Sequence, residues 1–414
     1  MPISLSREHR KLLENTTAQA RVLAEAASKA ALENLAVHEK EFRPHMADQP
    51  LLRDLRNRLR SRARALGDVR DAKGEQSIRH LTELAAYEHW HRLLFTRFLT
   101  ENHLLITDEE NGSVPITLDE CEELAAELGA RDGFDLACRF ASRILPGVFR
   151  RDDPVLELPV ALNDQVAMRN LLNALPSECF QADDALGWTY QFWQAQRKKE
   201  VNDSGKKIGA DELSPVTQLF TEDYMVEFLL HNTLGAWWAG KLGPIQAETE
   251  EEARLRAGLE AREGVPAIVW SYLRFVQEET TKLWTPSAGT FDGWPREAKS
   301  VTMLDPCMGS GHFLVFALPL LVRLRMEEEQ LVPKDAVVEA LRDNIHGLEL
   351  DERCTQIAAF NVALTAWKLA GYQRLLRIPV KWAPDSGDVG RRRSEATLVE
   401  FYSIQAAHMQ SRKG

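Results

Sequence analysis

The sequence predicts a chain in two parts, a mostly α-helical N-terminal region followed by an α/β region built on parallel strands. The first 45 residues are rich in Ala, Leu and Glu and contain no Gly, which is typical of long helices. From residue 300, a short apolar run, a glycine turn and a long apolar segment indicate strand, turn and helix. We therefore divide the chain into a helical domain, a linking helical region and an α/β part, at residues 1–184, 185–299 and 300–414.

The composition is that of an ordinary globular protein. Of the 414 residues, 44% are hydrophobic and 27% are charged, which allows two or three domains with a sizeable core. The five Cys residues are scattered without metal-ligand spacing, so we expect reduced thiols, no metal site and a cytoplasmic protein. We also expect no membrane partner, because no long apolar segment or signal-sequence pattern is visible.

An arginine-rich segment is the first candidate for contact with nucleic acid. The formal net charge of −11 argues against indiscriminate binding to phosphate, but residues 53–70 contain seven Arg and only two Asp. On a helix, four of these side chains share one face at spacings of three and four: Arg53, Arg56, Arg60 and Arg64. Two interpretations stay open, a surface helix with acidic partners elsewhere in the chain and a face that contacts DNA phosphates.

A second candidate combines aromatic and basic residues. Residues 185–193 read ALGWTYQFW, and Lys198 and Lys199 follow within a basic segment. Aromatic side chains beside a basic loop can stack on a flipped or single-stranded base while the lysines contact phosphate. The alternative is a group of buried aromatic residues followed by a solvated lysine loop.

The clearest chemical signal lies in residues 300–314, which read SVTMLDPCMGSGHFL. The predicted strand ends at Asp305 and Pro306, where ligands bind in open α/β sheets. Gly309 and Gly311 lack a Cβ atom, so a ligand can lie against the main chain there, next to the free N–H groups of a helix N-terminus. The carboxylate of Asp305 is an acceptor for an ammonium group, which favours a zwitterionic nucleoside over a dinucleotide.

A second acidic residue ends the next predicted strand. Residues 346–351 read HGLELD, and an acid at this place can accept hydrogen bonds from both hydroxyls of a ribose. We assign that role to Glu349. Asp351 directly precedes a helical pattern and is predicted to cap that helix.

The motifs DPCMGSGHFL and GLELD together resemble motifs I and II of the S-adenosylmethionine-dependent DNA adenine-N6 methyltransferases. They are similar in particular to the large methyltransferases of BREX- and DISARM-type phage-defence systems. The resemblance implies an α/β Rossmann-like methyltransferase domain, of which residues 300–414 form the cofactor half. It implies S-adenosylmethionine as cofactor and duplex DNA as partner, with these cofactor-binding residues: Phe220, Thr221, Asp305, Pro306, Gly309, Ser310, Gly311, Phe313, Glu349 and Asp351.

The segment 217–224 resembles motif X of the same family, which binds the methionine end of the cofactor. Phe220 and Thr221 match that motif, whereas Glu222 stands where the family has Pro. From the residues alone, Thr221 is also a good N-cap for the apolar helical pattern that follows. A loop at residues 284–299 contains two Trp, which could cover an adenine ring.

The motif order X, I, II matches the γ arrangement, in which the tetrapeptide Asn/Asp/Ser-Pro-Pro-Tyr/Phe should follow. These residues contain no Pro-Pro pair, so no catalytic residue is assigned, and we expect a truncated or split enzyme. The resemblance implies methyl transfer to adenine in a phage-defence or restriction-modification system. One alternative is a non-catalytic subunit that binds S-adenosylmethionine or DNA and works with other defence subunits. A methyltransferase acting on RNA or protein is the other.

Overall fold

The computed structural model of the protein describes residues 4–107, 113–150, 152–205, 221–289, 293–373, 375, 377–382 and 399–402. These residues are mostly helical, with two small sheets. They form two compact units, each made of more than one segment of the chain. The first unit contains residues 6–181 and 192–196, and the second contains the described parts of residues 1–5, 182–191 and 197–414. The division into three parts at residues 184 and 299 stays a prediction.

The described residues of the first unit are mainly helical. Helix α1 spans Arg7–Asn34 and is capped by Ser6, whose side chain accepts a hydrogen bond from the N–H of His9. Helix α2 spans Pro50–Ala65, which confirms the helix predicted for the arginine-rich segment, and helix α3 spans Arg79–Glu101. Shorter helices follow: α4 Leu118–Leu124, α5 Gly133–Ile144, α6 Leu162–Asn173 and α7 Glu178–Gln181.

The aromatic residues of α3 form the core of this unit. Trp90, Phe95 and Phe98 are each at most 2% exposed. Trp90 stacks on Trp193, with ring centroids 6.2 Å apart. Trp193 belongs to helix α8, Ala185–Asp203, of which residues 192–196 are part of this unit. Burial of these large rings stabilises the unit, because apolar burial stabilises in proportion to the area removed from water.

The second unit contains an interrupted helix. Helix α9, Asp223–Leu230, continues through a π-helical turn, His231–Gly235, into helix α10, Ala236–Leu242. Helix α11, Glu250–Ala257, and an antiparallel pair of short strands, β1 Phe275–Gln277 and β2 Trp284–Pro286, complete this part. No helix in the described ranges is long and apolar enough to cross a membrane.

A four-stranded sheet organises the rest of the second unit. Its elements run in the order β3 Met303–Asp305, α12 His312–Glu329, α13 Pro333–Asp343, β4 Ile345–Glu349, α14 Glu352–Ala370, β5 Arg377–Trp382 and β6 Val399–Tyr402. The strands lie in sequential order in the sheet. β4 is parallel to both β3 and β5, while β6 is antiparallel to β5. The predicted strand, turn and helix order with parallel strands is therefore present.

One glycine of β4 explains how the turn after β3 packs on the sheet. A Cβ atom at Gly347 would clash with the Met308 side chain and lie 2.9 Å from Cδ1 of Leu314. Met308 is buried, and its N–H donates to the carbonyl of Leu348 at 3.1 Å. Gly347 thus lets Met308 pack over β4, which brings the turn after β3 to the carboxyl end of the neighbouring strand.

Candidate cofactor-binding site

Asp305 is the last residue of β3, and the turn that follows is held partly by its own side chain. The N–H of Cys307 donates to Oδ1 of Asp305 at 3.1 Å. Partial burial raises the pKa of the Asp305 carboxyl above its usual range, and the hydrogen bond from Cys307 offsets part of that effect. A carboxylate whose burial is unfavourable gains from a cationic partner, so Asp305 suits a ligand ammonium group.

The two glycines of the turn adopt the conformation that only glycine takes readily. Gly309 has φ +54° and Gly311 has φ +81°. A Cβ atom at Gly311 would also lie 3.0 Å from Cβ of Ala358 on α14. Asn361, one turn further along α14, donates from Nδ2 to the carbonyl of Ser310 at 2.9 Å. The turn is therefore held closely against α14 at Gly311, whereas a Cβ atom at Gly309 would meet nothing within 4 Å.

Glu349 ties the end of β4 to the same turn. Its Oε2 accepts the N–H of Gly309 at 2.8 Å, while Oε1 accepts the N–H groups of Leu350 at 2.8 Å and Asp351 at 3.0 Å. Sequence reasoning missed this supporting role, although an acid at the end of a neighbouring parallel strand is the signal for it. A carboxylate has about four acceptor positions, so one is left for a further donor such as a ribose hydroxyl.

Asp351 caps helix α14, as predicted. Its Oδ1 accepts the N–H groups of Arg353 at 2.8 Å and Cys354 at 3.4 Å. Its Oδ2 accepts the hydroxyl of Tyr190 at 3.0 Å. Both oxygens of Asp351 thus have partners within the chain, and its expected contact with a cofactor stays a prediction.

The segment that resembles motif X is described only from Thr221 onward, and Phe220 lies outside the described residues. Thr221 is half-buried, and the prediction that it caps the helix is wrong, because Glu222 has the extended backbone that precedes α9. The next residue, Asp223, lies with Oδ1 3.0 Å from Nε2 of His312, the first residue of α12. This contact, which the sequence did not indicate, joins the start of α9 to the helix that follows the glycine turn.

An open groove of about 610 Å³ runs along β3. Asp305, Pro306 and Phe313 line it, together with Trp294 from the loop that was expected to cover an adenine ring. Leu229, Leu230 and Leu234 add apolar surface to its lining. Gly309, Gly311 and Glu349 are not among its lining residues, so the groove contains part of the predicted cofactor site and the turn lies beside it.

The predicted arginine face on α2 needs correction. Arg56 and Arg60 are buried, at 5% and 6% exposure. Arg56 donates to the carbonyls of Ala36 at 2.9 Å and Glu39 at 2.7 Å, and Arg60 donates to that of Val37 at 2.7 Å. Burial lowers the pKa of both guanidinium groups. These two side chains stabilise the fold from within, because buried carbonyl groups need donors, and they are not available to DNA phosphates.

The other arginines of α2 favour the interpretation in which acidic partners neutralise the helix. Arg58 pairs with Glu157 at 2.6 Å, and Arg62 pairs with Asp153 at 2.9 Å. Arg53 lies over the ring of Phe42, 5.5 Å from its centroid, and Arg64 is exposed. Of the four predicted DNA contacts on this helix, only Arg53 and Arg64 stay candidates.

The aromatic segment at residues 185–193 is buried, which confirms the alternative that was kept for it. Trp188, Tyr190 and Trp193 are 6%, 4% and 3% exposed, so these rings are not available to stack on a base. Lys198 and Lys199 lie in helix α8, where a loop was expected. Lys199 is exposed and Lys198 is half-buried, and their contact with phosphate stays a prediction.

No protein-family model matches the chain. Sequence comparison finds an adenine-specific methyltransferase PglX from Lacticaseibacillus casei (strain Zhang), 24% identical over 344 residues, with 74% of this chain and 27% of that protein covered. It also finds an adenine-specific methyltransferase BrxX from Escherichia coli O9:H4 (strain HS), 25% identical over 322 residues, with 70% and 25% covered. The chain is similar in sequence to adenine-specific methyltransferases. The predicted resemblance to the BREX-type enzymes is thereby confirmed.

These relatives are much longer than this chain, which spans about a quarter of their length. Comparison of structures finds a DrdV–DNA complex with a TM-score of 0.37 and 11% identity, covering 92% of this chain and 26% of that one. It also finds the Type ISP restriction-modification enzyme LlaGI with a DNA substrate mimic, with a TM-score of 0.36 and 12% identity, covering 97% and 23%.

Proposed function

We propose that this chain forms the S-adenosylmethionine-binding part of a DNA adenine-N6 methyltransferase in a phage-defence or restriction-modification system. The proposal includes a Rossmann-like methyltransferase fold for the α/β part. It is supported by similarity to adenine-specific methyltransferases and by one feature of the structure. Asp305 and Glu349 end two neighbouring parallel strands, and the glycine turn between them is bonded to Glu349 at Gly309.

The residues present fit this cofactor. The partly buried Asp305 carboxylate would accept the ammonium group, and the fourth acceptor position of Glu349 would take a ribose hydroxyl. The main chain at Gly309, Ser310 and Gly311 would lie against the ligand. Phe313 and Trp294 offer apolar surface for the adenine ring in the groove. Thr221 and Phe220 would contact the methionine end, as the resemblance implies.

When bound, S-adenosylmethionine supplies an electrophilic methyl group for transfer to an amine. The residues of this chain position the cofactor, and positioning accounts for much of the rate of such a transfer. No residue of the chain is assigned to hold the target adenine. Duplex DNA is the proposed partner, and the alternative of a non-catalytic subunit that works with other defence subunits predicts the same cofactor site.

The first experiment is calorimetric titration of the chain with S-adenosylmethionine, followed by a transfer assay with a labelled methyl group on duplex DNA, RNA and protein. We expect Asp305→Ala to weaken binding at least about tenfold and Asp335→Ala, a matched change of an exposed aspartate, to leave it unchanged. Loss of an acceptor for a charged donor costs about 1.5–3 kcal/mol.

Binding together with transfer to DNA supports the enzyme, and binding without transfer supports the non-catalytic subunit. Transfer to RNA or protein in place of DNA would change the substrate class. If the unchanged chain does not bind S-adenosylmethionine, or if Asp305→Ala binds as well as the unchanged chain, the proposed site is wrong.

A further inference from the structure

The start of α9 and the start of α12 meet through two ionisable side chains. Nε2 of His312 lies 3.0 Å from Oδ1 of Asp223, and the second oxygen of that carboxylate, Oδ2, accepts the hydroxyl of Ser4. His312 directly follows Gly311 of the glycine turn, and Asp223 lies two residues after Thr221. Within one unit of the fold, the pair therefore connects two of the segments to which cofactor-binding residues are assigned.

Packing fixes the direction of the imidazole ring. His312 is 7% exposed, and its ring lies edge-on to that of Phe316, one helical turn later, with ring centroids 4.7 Å apart. The Asp223 side chain is partly buried as well. Partly buried charges gain little net stability from each other, because desolvation cancels much of their attraction, but the loss of one leaves the other in an unfavourable place. Such a pair can fix the relative position of two elements even where it adds little stability.

The surroundings of Asp223 are acidic. Burial is the main cause that raises the pKa of the carboxyl groups of Asp184 and Glu227, and the negative charge of Asp223 raises both further. Like charges at short range repel each other, and His312 is the ion-pair partner that offsets this repulsion at Asp223. If the imidazole is removed, we expect the Asp223 carboxylate to move, and the first turn of α9 to lose its fixed distance from α12.

The apolar contacts between these helices do not fix that distance. Helices α9, α12 and α14 enclose a cavity of about 190 Å³. Leu230, Val315 and Phe316 contribute apolar surface to it, and Glu227 and His231 also line it. Apolar contacts are not directional, and a space of this size leaves room for one helix to shift against another. The polar pair at the first turns is a directional contact that opposes such a shift.

We infer that His312 and Asp223 are positioning residues, which hold the start of α9 at the distance from the glycine turn that the methionine end of S-adenosylmethionine requires. The inference rests on the proposed function, in which Asp305 accepts the ammonium group and Thr221 contacts the methionine end. His312 and Asp223 act through these residues and do not touch the cofactor. A ligand without the methionine end, such as adenosine, should not depend on the pair, since its ribose and ring use Glu349 and the groove.

The test compares S-adenosylmethionine with adenosine in NMR titrations of the full chain. Because binding groups misplaced by about 1 Å lose much of their effect, we expect His312→Ala to weaken binding of S-adenosylmethionine at least about tenfold and that of adenosine less than about twofold. His312→Gln, whose NH₂ group can reach the same carboxylate, should recover much of the lost affinity. Asp343→Asn is the matched control. It removes a charge from a comparable pair, with Arg325 at 3.0 Å near the other end of α12, and should change neither affinity.

A second measurement keeps the test valid if His312→Ala lowers the stability of the fold. Asp223→Asn removes the charge that repels Asp184 and Glu227, so it should reduce affinity for S-adenosylmethionine less than His312→Ala does. In the double variant, His312→Ala with Asp223→Asn, affinity should be partly restored relative to His312→Ala alone. Independent losses of stability would add instead, so this restoration is specific to a coupled pair.

Failure of the inference and failure of the proposed function give different results. If the unchanged chain does not bind S-adenosylmethionine, the proposed function is wrong and the positioning role falls with it. If the unchanged chain binds both ligands and His312→Ala weakens both equally or neither, the cofactor site stands and the positioning role is overturned. A double variant that binds S-adenosylmethionine no better than His312→Ala overturns it as well, and this comparison decides if adenosine does not bind measurably.

Discussion

Helix α2 and the glycine turn after β3 are both conspicuous in the sequence, yet the fold uses their polar groups in different ways. On α2, the buried guanidinium groups of Arg56 and Arg60 donate to main-chain carbonyls, and the charge that seemed available to a partner is used inside the unit. At the turn, Glu349 accepts main-chain N–H groups but keeps an acceptor position, and Asp305 accepts one N–H group from its own turn. A polar side chain indicates a ligand site only if the fold leaves part of its hydrogen-bonding capacity unused.

The largest expected effect is on stability and concerns a buried arginine. Arg60→Ala removes the donor to the carbonyls of Val37, Glu39 and Gly74 and leaves a cavity, so we expect a loss of about 2–4 kcal/mol in the free energy of unfolding. The matched control is Arg64→Ala, an exposed position on the same helix, which should change it by less than about 0.5 kcal/mol. Urea unfolding followed by circular dichroism measures both. Similar losses in the two variants would remove the contrast between buried and exposed arginines.

The next effect tests how tightly the turn is held. Gly311→Ala places a Cβ atom 3.0 Å from that of Ala358 at a residue with φ +81°, so we expect a loss of about 1–3 kcal/mol in the free energy of unfolding. Gly289→Ala is the control, because a Cβ atom there meets nothing within 4 Å and the backbone is not in the left-handed region. Thermal unfolding of the two variants gives the difference. Equal stability of both would mean that the turn can move away from α14.

A smaller effect is expected for the acid that supports the turn. Glu349→Gln keeps one oxygen but places an NH₂ group against a main-chain N–H, so we expect a loss of about 1–2 kcal/mol in the free energy of unfolding. Affinity for S-adenosylmethionine should fall as well, since Gly309 is no longer held in place.

The matched control is Glu251→Gln, a change of an exposed glutamate on α11, with no expected effect on either quantity. A variant at Glu349 that loses cofactor affinity but no stability would show that the residue contacts the ligand without supporting the turn.

The smallest stability effect is expected when the charge of Asp305 is removed. This change should stabilise the chain slightly or not at all, whereas the three changes above should destabilise it. Burial raises the pKa of this carboxyl in the folded chain, so protonation of Asp305 favours folding. That contribution to the free energy of unfolding is fully present below the ordinary pKa of aspartate, about 3.9, and is lost as the pH rises through the raised pKa. Asp305→Asn should therefore be as stable as the unchanged chain, or slightly more stable, near pH 7. The advantage should shrink as the pH falls toward 3.

Melting temperatures measured between pH 3 and pH 8 check this sign, with Asp335→Asn as the exposed control. If the Asn variant is less stable at pH 7 and recovers in acid, then Asp305 stabilises the fold and the contrast with the arginine helix is wrong. Loss of cofactor affinity without loss of stability is the combination expected for a binding residue.

Much of the local structure could be predicted from the sequence, because it depends on neighbouring residues. The patterns of α2, α12 and α14 place these helices close to their observed bounds. Asp351 was predicted as a cap because a helical pattern begins directly after it, and it caps α14. Thr221 shows the limit of such reasoning, since Glu222, one residue later, adopts the extended backbone that precedes the helix.

The sequence by itself determined the order of strand, glycine turn and helix, and the acids at two strand ends, because these depend on residues close together in the chain. Only the tertiary structure decided that Arg60 donates to Val37, that Asp223 lies beside His312, and that Glu227 and His231 share a cavity. Such contacts join different elements of the chain, and packing selects them by burial and hydrogen bonding. The spacing of residues in the sequence carries little information about which polar groups have no partner after the elements have packed.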